Sequence, residues 1–379
     1  MKKPRIVHII TDYPDGIGQG NSYAIGNLLE QTDTQAEHLV ISLNRVREPV
    51  FRVTQKSPNV IVCEVFSLPW GLFSNSFLWL VALALRPYLK AGFSADLIHG
   101  HKLTTDGVLA YFLSRQTDIP FALTICGETD VRFVRYKPFS KGLFRNVMKQ
   151  ALHTFWISAW AKPVITQRLG ISPNSQSNVP IVCRVPGLSL FPAPLPEKPV
   201  QRFVFLARLA HAKKKGLFHI LDVLATRPEY QLDIYGPLTP DELTVLEENI
   251  SERRIGAQVR YCGVLSPDQF SRVLPQYIGL LMPSRQETFG MVYVEALMCG
   301  LPVLCCVGSG IDGHVNKPYI RLITYADVKA LEHEMDILFK HGDTLKQQLH
   351  QDWKTGGLAC FSPDYIGKHY TDWLEGVLN

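Results

Sequence analysis

Five prolines fall between residues 186 and 199, and on both sides of them the chain repeats one pattern. A short apolar run gives way to a turn, then to an amphipathic stretch, then to another apolar run. Before the prolines the runs lie at 5–10, 37–43, 60–65, 96–99 and 121–125. Helical stretches fall between them: one capped by Asn21 or Ser22 and reaching Glu30, then 76–90 and 107–115. After the prolines the apolar runs recur at 203–206, 231–235, 259–261, 278–282 and 302–306. Strands alternating with helices build a parallel sheet covered on both faces. The pattern occurring twice predicts two doubly wound α/β halves, with the proline-rich stretch as their linker. The expected boundaries are 1–195 and 200–358, with a last helix at 359–379 packing back on the first half. A chain of 379 residues is long enough for both cores. Sheets of this kind bind ligands outside the carboxyl ends of their strands, so the cleft between the halves is the expected site.

Charge is unevenly spread. Residues 1–190 hold 20 Lys and Arg against 12 Asp and Glu, whereas the remainder holds 19 against 22, so a net of +8 faces a net of −3. Between Val131 and Pro196 there are nine basic residues and no acidic one. Such a face implies an anionic partner. Within it, 131–153 interleaves Arg132, Arg135, Lys137, Lys141, Arg145 and Lys149 with Phe133, Tyr136, Phe139 and Phe144. Basic and aromatic residues together suit an anionic membrane surface. The plainer reading is a solvated helix face with core aromatics. No nucleic-acid motif accompanies the charge, and the acidic second half argues against that partner. The eight cysteines form no CxxC pair, as expected of reduced thiols. The start, Met1 to Asp12, does not read as a secretory leader. The longest apolar run, 77–85, has nine residues, against roughly 20 for a spanning helix. The expected location is the cytoplasm, with peripheral contact at the cytoplasmic face of the inner membrane as a further expectation.

The stretch 283–303 carries most of the chemistry. Pro283 ends an apolar run, 286–290 reads as a loop, and a helix starts near Met291 and stops at Gly300. Glu287 precedes that helix and Glu295 lies about one turn inside it, with seven residues between them. The unpaired N–H groups of a first helical turn attract phosphate. Two carboxylates that accept hydroxyl protons would therefore flank an anion site, which is what a sugar nucleotide needs. Complementing the helix dipole is the simpler role for such residues.

Pro283, Ser284, Glu287, Phe289, Gly290, Glu295, Ala296, Gly300, Pro302 and Val303 together resemble the signature of the retaining glycosyltransferases of the GT-B fold, family 4 (glycosyl transferases group 1). The likeness continues through 203–216, where Arg208 and a lysine before Gly216 stand in a similar turn, and through 233–236 and 259–263. In the first half it covers 96–101, 123–130 and 185–192. It implies two Rossmann-like domains, a nucleoside-diphosphate sugar such as a UDP- or GDP-sugar as donor, and no metal cofactor. Arg208 and one of Lys213, Lys214 and Lys215 would grip the diphosphate, Lys215 being favoured as the neighbour of Gly216. Glu287 would hold the donor sugar's hydroxyls and Glu295 the ribose. Backbone groups of Phe289, Gly290 and Met291 would serve sugar and phosphate, and those near Gly236 and Val264 the base. Retention by front-face attack, a hexose-type donor and a saccharide or lipid-linked saccharide acceptor in bacterial surface polysaccharide or lipopolysaccharide assembly complete the implied function.

Gly16, Gly18 and Gly20 form a loop after the first strand that could cradle an anion. Their spacing is not that of a dinucleotide fingerprint, and Glu37 stands ahead of the second strand rather than after it, which argues against nicotinamide binding. The sequence departs from the family at Cys126, where many relatives have a histidine touching the donor sugar. Cysteine is a poor substitute in hydrogen bonding. Cys126 and Gly127 through their backbone, Glu128, Asp130, and His99 or His101 are the candidates to replace it. A sugar-nucleotide epimerase of the same architecture, or a sugar-nucleotide-binding protein without turnover, are the alternative readings.

Overall fold

The computed structural model describes residues 3–11, 13–16, 24–67, 74–188, 191–194 and 200–378. Two compact units divide the chain: Met1–Val182 with Cys360–Asn379, and Cys183–Ala359. The helix and turn expected at 17–23, with Gly18 and Gly20, and part of the proline-rich stretch lie outside the described residues.

The first unit is built on eight strands: β1 (Arg5–Ile10), β2 (Glu37–Val46), β3 (Phe51–Ser57), β4 (Val60–Phe66), β5 (Leu97–Gly100), β6 (Phe121–Ile125), β7 (Thr154–Trp156) and β8 (Gln176–Asn178). Their order across the sheet is β3-β4-β2-β1-β5-β6-β7-β8. Every pairing is parallel except β3 with β4. The central strands are buried along their length, so they read as continuous apolar runs. The helices are α1 (Ala24–Thr32), α2 (Ser74–Pro87), α3 (Asp106–Thr117), α4 (Glu128–Tyr136), α5 (Lys141–Gln150) and α6 (Ala161–Leu169). One face of the sheet packs with residues of α2, α3, α5 and α6, among them Leu78, Leu85, Leu109, Leu113, Val147 and Ile165. The opposite face is closed by Leu28 of α1 and by the chain's last helix. Ile366, Tyr370 and Leu374 of that helix pack with Ile6, Leu97, Phe155 and Val182.

The second unit carries β9 (Phe203–Leu206), β10 (Leu232–Tyr235), β11 (Val259–Tyr261), β12 (Gly279–Leu281), β13 (Val303–Cys306) and β14 (Ile320–Ile323). They are all parallel, in the order β11-β10-β9-β12-β13-β14. Its helices are α7 (Leu217–Leu224), α8 (Pro240–Glu252), α9 (Phe270–Val273), α10 (Met291–Met298) and α11 (Val328–Lys354), and α12 (Pro363–Leu378) is the closing helix of the first unit. The chain runs outward from β9 through β10 to β11, then returns to the other side of β9 as β12. The crevice between the carboxyl ends of β9 and β12 is thus the topological switch point of this sheet, where α/β folds bind ligands.

One boundary differs from the sequence reading. Residues 183–195 were expected in the first domain, but the division falls at Val182. Ala193 N–H donates to Met298 O at 3.0 Å, and the Phe191 ring lies 5.2 Å from that of Trp353. Trp353 in turn donates from Nε1 to Leu297 O at 2.8 Å. Residues 191–193, with the buried Pro192, are therefore part of the second unit's packing and not of a free linker.

Candidate active site

The switch point of the second unit is lined by two loops held against each other. One leaves β9 and runs through Arg208 to Gly216, and the other leaves β12 and runs through Pro283 to Gly290. Gly216 caps α7 with φ +79°, and a Cβ there would sit 2.5 Å from Pro283 O. Only glycine permits both the left-handed backbone and that approach. Arg285 N–H donates to Lys214 O at 2.8 Å, which ties the loops together directly.

This packing sets the three lysines in different surroundings. Lys213 and Lys214 are exposed, while Lys215 is half-buried and its Nζ forms an ion pair with Glu287 Oε2. Glu287 is fixed from several sides. Its N–H donates to Ser309 Oγ at 2.6 Å, and its carbonyl accepts from Gly310 N–H at 2.9 Å. Ser309, itself buried, donates to Ser284 O at 3.0 Å. Ser309 and Gly310 follow β13 and went unnoticed in the sequence, since no contiguous motif connects them to Glu287. Arg208 stands two residues past β9, exposed, and its guanidinium has no hydrogen-bond or ion-pair partner among the described residues.

Gly290 caps α10 with φ +70°, and a Cβ on it would meet the Tyr293 ring at 2.5 Å. Tyr293 is fully buried and donates to Met282 O at 2.6 Å, pinning the helix start to the end of β12. Phe289 is buried, its ring edge-to-face with that of His314. The first-turn N–H groups of α10 thus open beside Glu287 and Lys215. Glu295, on the next turn, is half-buried, and its carboxylate has no hydrogen-bond partner among the described residues. Burial alone pushes its carboxyl up to about 7. Desolvation without a partner is costly for a carboxylate, and a pair of ribose hydroxyls would relieve it. Nearby, Gly236 leaves β10 with φ +149°, and a Cβ there would lie 1.7 Å from Ala207 O. Its N–H donates to Gly263 O at 2.9 Å, and the adjoining Val264 is exposed.

The carboxyl end of the first sheet is built differently. Asp130 turns its carboxylate into the protein. It is fully buried, with Oδ1 accepting from Leu103 N–H and Oδ2 from Cys126 N–H, both at 2.9 Å. Burial outweighs these bonds and the nearby Lys102, and raises its carboxyl to about 6. It caps the loop into α4. Cys126 turns its thiol to His101 O at 3.1 Å, and Gly127 (φ +124°) packs on Ser158 so closely that a Cβ would overlap its Oγ. Glu128 is half-exposed on the first turn of α4. Gly16 takes φ +78°, whereas Gly18 lies outside the described residues.

His101 is buried too, at the end of a hydrogen-bonded chain. Thr32 Oγ1 donates to Leu28 O at 2.9 Å, so it accepts from His38 Nε2 at 3.0 Å. Neutral His38 must then accept at Nδ1 from His8 Nε2, at 3.0 Å, and His8 Nδ1 must accept from His101 Nε2, at 2.9 Å. That leaves a lone pair on His101 Nδ1, which is buried with no partner. Burial keeps the rings neutral: His8 falls well below the usual range, His38 to about 4 and His101 to about 3. Nitrogens of His8, His99 and His101 lie within 4.8 Å of one another. His8 already uses both of its own, and His99 uses both on Tyr370 and Thr124. The cluster is organised as a core hydrogen-bond chain.

Residues 191–355 match the family described as glycosyl transferases group 1. The 2-deoxystreptamine glucosyltransferase of Streptomyces kanamyceticus is 24% identical over 322 residues, 76% of either chain. The fold is GT-B. The lipopolysaccharide outer core galactosyltransferase WaaB, in its apo form, superposes with a TM-score of 0.70 at 17% identity, over 98% of this chain and 99% of that one. Anabaena Alr3699/HepE in complex with UDP gives 0.70 at 13% identity, over 99% and 100%. These likenesses support a glycosyltransferase of the group 1 type, and the matched span contains every second-unit residue described above.

Proposed function

We propose that the chain is a retaining glycosyltransferase of family 4 that takes a hexose from a UDP- or GDP-sugar and passes it to a saccharide or lipid-linked saccharide. The observation that carries this reading is the Lys215–Glu287 pair at the β9/β12 switch point, beside the open first turn of α10. When donor enters, Lys215 exchanges part of its contact with Glu287 for the diphosphate, and Arg208 joins it. As the bond from the anomeric carbon to the phosphate oxygen breaks, negative charge grows on the leaving nucleoside diphosphate. Fixed cations stabilise that charge more in the transition state than in the ground state. They supply charge that a divalent ion would supply in a metal-dependent enzyme. Glu287, released in part from Lys215, accepts from the sugar hydroxyls, and Glu295 accepts from the ribose. The acceptor oxygen bonds to the anomeric carbon from the face the phosphate leaves, and its proton passes to a phosphate oxygen.

The galactosyltransferase likeness favours surface polysaccharide or lipopolysaccharide as the product. An acceptor on a lipid would bring the protein to a bilayer as a peripheral cytoplasmic enzyme. No helix among the described residues is long and apolar enough to cross one. Contact through 131–153 fits that role: Tyr136 and Phe139 are exposed among the basic residues, although Phe144 belongs to the core.

Thermal unfolding with UDP, GDP, ADP, TDP and CMP, with and without chelator, tests the donor reading. At a hundredfold excess over Kd, a bound nucleotide adds about 2.7 kcal/mol. One diphosphate should stabilise the protein regardless of chelator, and Glu295→Ala should abolish the shift. If no nucleotide stabilises it, the transferase reading fails.

A further inference from the structure

Helix α2 is apolar on both sides. Leu78, Val81, Ala82 and Leu85 are buried, as the inner face of a surface helix should be. Its outward face should be charged, yet Trp79, Leu80 and Leu83 are 47%, 54% and 40% exposed, and Tyr88 just beyond is also exposed. Single exposed apolar residues are ordinary; a row of them on one helix face marks a contact surface.

This row continues into the basic segment. Asn75 Nδ2, on the first turn of α2, donates to Ser140 Oγ at 3.1 Å. A cavity of about 30 Å³ below is lined jointly by Asn75, Phe77 and Leu78 and by Phe133, Lys137 and Phe144. Next to Ser140, Phe139 is fully exposed, and Tyr136 is 68% exposed. Within the two segments that carry the exposed apolar residues the charge has one sign, although α4 itself begins with Glu128. No acidic residue occurs in 65–95 or in 131–196, while Arg86, Arg132, Arg135, Lys141 and Arg145 supply cations.

We propose that the outward face of α2, with Phe139, inserts at the boundary between headgroups and acyl chains of an anionic bilayer. The basic residues of α4 and α5 meet the lipid phosphates around it. This inference rests on the membrane contact proposed for 131–153 and adds the element that penetrates. An apolar stripe ringed by cations matches the chemistry of such an interface. A second copy of the chain would bring two surfaces of like charge together, which opposes that occupant.

Flotation of the whole protein with vesicles of phosphatidylglycerol and phosphatidylcholine separates the two contributions, because salt screens charge and leaves apolar burial intact. The wild type should float at low salt and retain part of its binding at high salt. The triple variant Trp79→Ser, Leu80→Ser, Leu83→Ser should still float at low salt but lose binding at high salt by about tenfold or more relative to wild type. Brominated lipid should quench wild-type fluorescence and quench Trp79→Phe less, a conservative change that keeps the fold. No flotation at low salt would overturn the membrane contact and this inference with it. Flotation that salt reverses completely, with no quenching assigned to Trp79, would overturn insertion alone. If the wild type is a dimer in lipid-free buffer and the triple variant a monomer, the face belongs to a second copy, and the inference is overturned.

Discussion

The carboxyl ends of the two parallel sheets are made of similar residue types and used in opposite ways. Among the described residues of the second unit, charged groups stay available: Arg208 is exposed, Lys215 and Glu287 are held by one another at their side-chain ends, and the half-buried Glu295 carboxylate has no hydrogen-bond partner. In the first unit the Asp130 carboxylate is committed to backbone and the groups from His8 to Thr32 to one another, and His101 Nδ1 is the group left over at the end of that chain. A buried polar group that is satisfied internally stabilises a loop; one left unsatisfied at a strand end is ready for a ligand. Residue identity alone did not separate these cases, since Asp130 and Glu295 both looked available.

Substitutions can break or sharpen this contrast. The largest effect is expected in turnover. Lys215→Ala or Glu287→Ala should lower kcat for sugar transfer by about 100- to 1,000-fold, with the melting temperature little changed. A loss of stability in place of turnover would make the pair structural. Next, Asp130→Ala should cost about 2–4 kcal/mol in denaturant unfolding, because Leu103 and Cys126 N–H groups lose their acceptor. If that variant keeps its stability and loses nucleotide-dependent activity, the first unit's acid is a ligand group after all.

A smaller effect concerns pH. In the folded chain Glu295 holds its proton to about 7, while the unfolded carboxyl releases it near 4.5. The folded state therefore binds more protons in that window, and this residue's contribution to stability falls as pH rises from about 4.5 to 7. Without nucleotide, Glu295→Gln should be more stable than wild type at pH 8, by about 1–2 kcal/mol, and equal to it at pH 4. A parallel pair of pH–stability curves would remove the unrelieved desolvation from the argument. The smallest change is expected at Cys126→Ser, which keeps a donor toward His101 O; kcat should stay within about threefold. A large fall would move catalysis into the first unit.

The fold was legible where strands are buried on both faces, because burial forces continuous apolar runs such as Phe203–Leu206 and Phe121–Ile125. It was not legible at β7, a buried strand of only three residues, nor at β14, nor at β3, whose exposed edge is polar, nor at β8, three polar residues that owe their strand to pairing with β7. The donor loop was legible because its groups are contiguous from Pro283 to Gly300. The clamp by Ser309 and Gly310 was not, since it comes from the next strand's exit. Only the fold shows that Lys215, and neither of its neighbours, turns to Glu287. Sequence proximity also misplaced residues 183–195, whose partners Met298 and Trp353 lie more than a hundred positions away.

Helix α12 has a consequence for how the molecule is made. Ile366, Tyr370 and Leu374 complete the core formed by Ile6, Leu28, Leu97 and Phe155, and His99 finds one of its partners in Tyr370. A ribosome delivers the second unit as one uninterrupted stretch, which can close as soon as it emerges. The first unit waits for α12, which follows the whole second unit in the chain, and until then the part of its sheet that α12 covers stays open. That open patch is what a chaperone would meet on the nascent chain.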